Sequence, residues 1–503
     1  MSFEFILEAL TPFHIALALG GVVAGTVIGS LPGLTATMAI AVLVPLTFSM
    51  ATTAALILMG AIYTGAVYGG AYAAILLNTP GTPSAIGTTF DGFPMAKRGD
   101  GDLAVTLACL ASVVGGLIGA GFLLWLAPPL AQIALKFGPT EYFWLAMFGL
   151  TLIAALSEGS LLKGLIGACF GLLLACIGVA EISADVRFTF GSETLLGGIE
   201  TVSALIGLYC VPVLIDLVAT PDRHLKVSSE TSRGFRLKEA IAITTKGWWN
   251  VLRSSVIGTV VGILPGAGGS IAGLVAYSEA RRSSKRKEHF GTGEPEGVQA
   301  TEAANNATVG GGFIPTLVLG IPGTPPDAVV LGALLVQGVR TGPQLFSEGG
   351  GSIIYTFIAG LFLATFLMLP TGLIIGRYAY KSIITVPKAM LVPTVAFMTI
   401  IGSFAIRNSV SDIFIMIVLG ILGWVLNRFG FTPSPIVLGL ILSRIAEQGF
   451  VQGWSIGKAT DEPFTAFFAR PISFAILSVI VLSLLYPLLK PIIAKKLGAK
   501  RSA

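Results

Sequence analysis

Hydroxyl and amide side chains gather at four interruptions of otherwise apolar sequence. The first is Leu31-Pro32-Gly33-Leu34-Thr35, with Thr37 close behind, and the second is Asn78-Thr79-Pro80-Gly81-Thr82-Pro83-Ser84. The third is Leu264-Pro265-Gly266, followed by Gly268, Gly269 and Ser270; the fourth is Pro322-Gly323-Thr324-Pro325, with Asp327 just after it. Their chemistry is that of binding. Proline supplies no N–H and glycine accepts unusual φ, so each motif ends one helix and lets another begin. The bare N–H groups at the start of a helix carry roughly half a positive charge and bind anions, while bare carbonyls at a helix end attract cations.

Hydroxyls and N–H groups of this kind can hold carboxylate oxygens, with Pro32, Gly33, Thr35 and Thr37 as candidates at the first break and Asn78, Thr79, Gly81 and Thr82 at the second. Gly266, Gly268, Gly269 and Ser270 serve at the third, and Gly323 and Thr324 at the fourth. Thr82, Thr324 and Asp327 also offer oxygen to a coupling cation, Na⁺ or H⁺, and Asn305 and Asn306 are the side chains added to that set. Na⁺ at these breaks is the metal expected, and no other cofactor is. Each residue also has a plainer reading. Thr and Ser in membrane helices often bond the preceding turn. Glu302 to Asn306 reads either as part of the site or as an interfacial helix start capped by Thr301 and Glu302. Gly25, Gly29, Gly258 and Gly262 have the spacing of close helix packing. Asp91, Asp185, Asp216 and Asp412 read as interfacial or packing residues.

The elements that carry these breaks are membrane helices. Of 503 residues, 54% are hydrophobic and 11% charged, where soluble domains carry about 25% charge. Apolar runs such as 103–126, 352–375 and 472–489 have the length that crosses a bilayer core, about 20 residues. The fold class is all-α and polytopic. In lipid an unpaired backbone N–H or C=O costs several kcal/mol, so a broken helix persists only where protein or a watery cavity surrounds it. The net charge of +5 reports topology in such a chain. The four cysteines, Cys109, Cys169, Cys176 and Cys210, have no ligand spacing and read as buried free thiols. The first residues lack a basic region and a cleavage site, and read as the start of the mature chain.

Two motifs recur in the same order. Gly25-Thr-Val-Ile-Gly-Ser-Leu-Pro-Gly33 returns as Gly258-Thr-Val-Val-Gly-Ile-Leu-Pro-Gly266, an offset of 233 residues. Pro-Gly-Thr-Pro at 80–83 returns at 322–325, an offset of 242, with the extra residues around the basic run 281–287. This marks a duplication: a first half over 1–219 (hairpin tip 31–37, broken helix 78–84), a cytoplasmic linker over 220–246, and a second half over 247–503 (tip 264–270, broken helix 320–327). Basic clusters at 223–238, 281–287 and 490–501 place those segments in the cytoplasm and the N-terminus outside. The halves are then inverted, each with a re-entrant hairpin and a discontinuous helix, and the total is ten to twelve spans plus the hairpins. Paired broken helices in two halves point to a transporter binding site.

Rival chemistries lack their residues. Gly262 to Ser270 resembles a phosphate loop without its lysine, and His14, His224 and His289 lie too far apart in sequence to form a ready catalytic pair. A carboxylate or anion channel with re-entrant loops and no ion coupling stays open as the alternative.

The motifs together, from LPGLTATMAIAVLVPLTF through 68–83 and LPGAGG to EAANNA and LGIPGTP, resemble the large membrane subunit of the tripartite tricarboxylate transporters, the TctA-like proteins. The similarity runs from about residue 10 to 490. It implies a bacterial inner-membrane secondary transporter that imports tricarboxylates or related carboxylates by symport with a cation. It also implies two partners, a small four-helix TctB-like membrane subunit and a periplasmic TctC-like binding protein that delivers substrate, and an elevator-like motion. The residues carried over are 32–35, 78–83, 265–270, 305–306 and 322–325. Gly320 stands where the first half has Asn78, so ligation by the two halves is not strictly symmetric.

Overall fold

The computed structural model describes residues 3–156, 160–219, 236–346, 351–379 and 387–499. The expected all-α architecture holds, with one two-residue strand pair, β1 (Gly178–Val179) and β2 (Val186–Arg187), among the described residues. In chain order the helices are α1 (Phe3–Ala9), α2 (Pro12–Ser30), α3 (Ala36–Leu43), α4 (Thr52–Leu77), α5 (Ile86–Met95), α6 (Gly101–Ala134) and α7 (Pro139–Leu156). Next come α8 (Leu161–Ala175), α9 (Thr201–Ala219), α10 (Leu237–Lys246), α11 (Trp248–Ile263), α12 (Gly268–Ser283) and α13 (Pro295–Leu319). The last are α14 (Pro325–Val336), α15 (Gly351–Ile374), α16 (Lys388–Arg407), α17 (Val410–Arg428), α18 (Pro433–Ala459) and α19 (Pro471–Ala499). Of the expected linker, 220–235 lies outside the described residues.

Among the described residues, eight helices are long and apolar enough to cross a membrane, against ten to twelve spans expected. The difference lies in helices such as 36–47 and 325–336, which are apolar but short, and in α13, whose Gln299, Thr301, Glu302, Asn305 and Asn306 make it polar along a fully buried length. All four cysteines are free, as expected, but only Cys109 and Cys210 are buried; Cys176 is half-buried and Cys169 exposed.

The four breaks fall where proline and glycine placed them. Leu31 leaves α2 at ψ 121° and Leu264 leaves α11 at ψ 116°. Two residues later Gly33 and Gly266 take φ of 91° and 85°, which turns each chain back into α3 and α12. α4 and α13 end on left-handed residues, Asn78 at φ 54° and Gly320 at φ 71°. The same capping bond follows each: Thr79 N–H donates to Ala73 O and Ile321 N–H to Pro315 O, both at 3.3 Å.

The chain forms two compact units that do not coincide with the sequence halves. The first comprises 1–132 and 205–424, a stretch that runs through the linker, and the second 133–204 and 425–503, one stretch from either side of it. In the first unit α2 lies along α4 and α11 along α13. Their closeness depends on glycine. A Cβ on Gly25 or Gly29 would overlap the carbonyl of Ile62 or Ala66, and one on Gly258 would overlap that of Ala304. Position for position, the contacts repeat at the offsets of the two motifs. A Cβ on Gly69 would stand 2.5 Å from Thr26 O, and one on Gly311 2.5 Å from Thr259 O. A Cβ on Gly81 would meet Gly70 Cα at 2.9 Å, and one on Gly323 would meet Gly312 Cα at 2.8 Å. The return arms of the hairpins then cross over: α3 packs on α14, and α12 packs on the turn Pro83–Ala85.

The second unit packs α18 against α7 and α8 and α19 against α7. Its anchor is Glu141, fully buried at the start of α7. Gly138 N–H and Arg470 Nη1 donate to Oε2, each at 2.7 Å, and Ser473 donates to Oε1 at 2.6 Å. Removing the carboxylate strands the buried Ser473 hydroxyl and leaves the half-buried Gly138 N–H and the exposed Arg470 without their acceptor. Glu141→Ala is expected to cost about 3 kcal/mol, read as a lower melting temperature of the purified protein, while Arg470→Lys should cost less.

Candidate functional site

All four breaks lie in the first unit, and two of them are tied directly: Gly266 N–H donates to Gly323 O at 2.8 Å. α13 begins at Pro295, so Glu302 to Asn306 sits in its interior and every residue from Gly297 to Val318 is buried. An interfacial helix start capped by Thr301 and Glu302 is therefore overturned. The wet, charged turn that would begin such a helix is instead the loop before Pro295.

On one side of the site stands the start of α12. Its first turn, Gly268, Gly269 and Ser270, has no side-chain cap. Asn305 Oδ1 lies against Gly269 closely enough that any Cβ there would overlap it, and Ser84 Cβ would be 2.9 Å from the same Cβ. Thr82 is buried and its Oγ1 is 2.9 Å from Ser84 Oγ. Asn305 is 1% exposed and Asn306 0%, yet neither amide nitrogen nor amide oxygen of either has a hydrogen-bond partner. Buried amides are nearly always paired, and an unpaired one costs about 1–3 kcal/mol. Uncapped N–H groups, two hydroxyls and the unpartnered amide of Asn305 thus gather at this helix start, a set that can meet a carboxylate.

On the other side the equivalents are already occupied by one another. Tyr63, the counterpart of Asn305 at the offset of 242, meets Thr324 Oγ1 at 2.7 Å through its hydroxyl. Thr324 donates to Asp327 Oδ2 at 2.5 Å, and Thr35 caps α3 by accepting Met38 N–H at 3.2 Å. Pro325 and Pro326 remove two N–H groups from the first turn of α14. Asp327 is fully buried and its Oδ1 is unpartnered, as is Thr64 Oγ1, the counterpart of Asn306. This side offers oxygens and suits a cation.

The predicted residues do not all converge equally. Thr37 and Gly81 are buried, and Pro32 and Thr79 half-buried. Asn78 and Gly33 are exposed, and a Cβ on Gly33 would touch only Leu217, on Gly268 nothing. Residues that spacing did not single out include Tyr63 and Thr64, whose signal was their register with the Asn pair. Asp91 is a packing residue as read, but a demanding one. Its Oδ1 accepts from the N–H groups of Gly291, Gly293 and Glu294, each at 2.8 Å, and its Oδ2 from Tyr277 at 2.9 Å. That pins the loop following the second hairpin. Among the described residues no cluster of three His, Cys, Asp or Glu forms a metal site.

Comparison with known proteins adds three findings. A family model described as the tripartite tricarboxylate transporter TctA family matches residues 15–438. An uncharacterised 52.8 kDa protein of Agrobacterium vitis, from the TAR-I ttuC′ 3′ region, is 36% identical over 490 residues, 97% of this chain and 96% of that protein. A second protein of the same organism, from the TAR-II ttuC′ 3′ region, is 33% identical over 240 residues, 48% of this chain and 97% of its own length. No solved structure matches the chain.

Proposed function

The chain belongs to the tripartite tricarboxylate transporter TctA family, and from that premise we propose that it is the large membrane subunit of a secondary carrier importing tricarboxylates or related carboxylates. The carboxylate binds at the start of α12, between Gly269, Ser270, Ser84, Thr82 and Asn305, a residue that its type alone groups with the cation ligands. A coupling cation, Na⁺ or H⁺, binds on the side of Thr324 and Asp327. The observation that carries this reading is the buried, unpartnered amide of Asn305 beside a helix start without a cap, with a second unpartnered amide, Asn306, next to it in α13. A preformed set of donors is what an anion's hydration shell can be exchanged for.

The remaining parts follow from the family and from the charge pattern. A small TctB-like membrane subunit and a periplasmic TctC-like receptor complete the assembly, and the receptor delivers substrate. The protein is a multi-pass protein of the bacterial inner membrane, with its N-terminus periplasmic and its C-terminus cytoplasmic. Its hairpins are re-entrant and its halves inverted. Because all four breaks belong to one compact unit, the site can travel as one body, in elevator-like alternating access.

Thermal unfolding of the purified protein with a panel of carboxylates, with and without Na⁺, tests the site. A ligand at a hundred times its Kd stabilises by about 2.7 kcal/mol, so a rise in melting temperature is expected for the wild type. Gly269→Ala should lose it, because the new methyl group takes the place of Asn305 Oδ1. An equal rise in Gly269→Ala and in Asn305→Ala removes the start of α12 as the anion site. Counterflow of labelled citrate in proteoliposomes distinguishes a carrier from a channel, which gives none.

A further inference from the structure

Glu302 stands apart from the breaks. It is 0% exposed, on the face of α13 one turn before Asn305 and Asn306, and two other helices reach it. Thr88 of α5 donates to Oε1 at 2.5 Å and Ser112 of α6 to Oε2 at 3.1 Å. Among the described residues no Lys, Arg or His pairs with it. Titratable and charged groups on the helices around α13 are Asp102 and Cys109 on α6, Asp91 on α5, Tyr277, Glu279, Arg281 and Arg282 on α12, Tyr63, Tyr68 and Tyr72 on α4, Arg253 on α11 and Asp327 on α14. Asp91 is held by Tyr277, Asp327 by Thr324, and Arg253 by Asn250 and Ser283. A carboxylate with two hydroxyl donors and no cation at this depth is expensive in its charged form.

The network around it accepts either protonation state. With Glu302 ionised, Thr88 and Ser112 both donate to the carboxylate. With a proton on Oε1, that O–H donates to Thr88 Oγ1, and Thr88 turns its own hydrogen to Thr301 Oγ1, 3.1 Å away. Thr301 keeps its hydrogen on the carbonyl of Gly297 or Val298, at 3.1 and 3.0 Å, and Ser112 still donates to Oε2. No polar atom is stranded in either state, and only hydroxyl rotations separate the two. The carboxylate oxygens are also fully partnered, unlike the amides of Asn305 and Asn306, so this is not an open cage for a metal ion.

We propose that Glu302 is a reversible proton-binding site, built by α5, α6 and α13, whose charge controls the anion site one helical turn away. It rests on the carboxylate-carrier reading. With Glu302 ionised, a second negative charge nearby in a low dielectric is repelled; with Glu302 neutral, the anion is accepted. Proton and substrate then bind together, and the proton is the coupling ion at this position.

Infrared difference spectroscopy of the purified full-length protein tests protonation without any substrate. A carboxyl C=O band that vanishes as pH rises, and that is missing in Glu302→Gln but present in Asp327→Asn, is the expected result. Ser112 donates in both states but more strongly to the ionised carboxylate, so Ser112→Ala should move the midpoint of that band up by about one pH unit. Absence of a titrating band lost in Glu302→Gln overturns the proposal. The second arm measures citrate-induced thermal stabilisation across pH. It should fade toward alkaline pH in the wild type and persist in Glu302→Gln; an unchanged pH dependence in Glu302→Gln overturns the control of the anion site. If no carboxylate of the panel stabilises the wild type at any pH, the carrier reading fails, while the infrared result still decides whether Glu302 exchanges a proton.

Discussion

Asn306→Leu is expected to abolish carboxylate uptake while leaving the protein as stable as the wild type or more so. Asn306 is fully buried in α13, and neither atom of its amide has a partner. For folding alone this is a liability of about 1–3 kcal/mol, which an apolar side chain of similar size relieves. A loss of about a hundredfold in uptake corresponds to about 3 kcal/mol of lost binding, and the amide's donor and acceptor can each contribute to that. The two effects thus run in opposite directions, which a merely damaged protein does not show. Uptake by cells expressing the whole assembly, set beside the melting temperature of the purified variant, reads both. Normal uptake at normal expression would take Asn306 out of the site.

Gly258→Val is expected to prevent the first unit from folding. A Cβ at 258 would overlap the carbonyl oxygen of Ala304 and lie 2.6 Å from Ala304 Cα. These are backbone atoms of α13, immediately before Asn305, so no side chain can swing aside to make room. Overpacking a core costs about 1–3 kcal/mol where neighbours can adjust; a main-chain collision should exceed that, and valine adds two methyl groups beyond the Cβ. The variant should run as aggregate on size exclusion in detergent, or melt far below the wild type. Gly20→Val in α2 is the control, since nothing lies within 4 Å of a Cβ there. A Gly258→Val protein that melts within a few degrees of wild type would mean that α11 and α13 do not touch as described.

The places where helices stop were readable in the sequence, and so was the recurrence of the motifs that stop them. Both depend on local backbone chemistry: a proline without an N–H and a glycine at positive φ act the same way wherever they occur. What the stops are made to face was not readable. That α3 meets α14, and α12 the turn after Thr82, is a crossing of distant segments with no local signature. The occupied state of the Tyr63, Thr324 and Asp327 side is likewise invisible in spacing, because Tyr63 and Thr324 are 261 residues apart. Glu302 presented an ambiguous face for the same reason. A carboxylate before an amide pair reads equally as a cap, and only the partners from α5 and α6 decide the matter. The earlier start of α13 did have a signal, Pro295 at the first helical turn, which the polar run after it obscured. The compact units escaped notice altogether, since duplication marks ancestry along the chain and compactness marks packing across it.

The bond from Gly266 N–H to Gly323 O joins a hairpin tip to a helix break without using any side chain. Ordinary mutagenesis cannot delete it, since every amino acid but proline brings the same two atoms. Descendants of this gene can therefore rewrite the surrounding side chains, and with them the choice of cargo, while the joint itself is inherited untouched. Dissolving it alone takes chemistry on the main chain, such as an ester in place of the amide at 266.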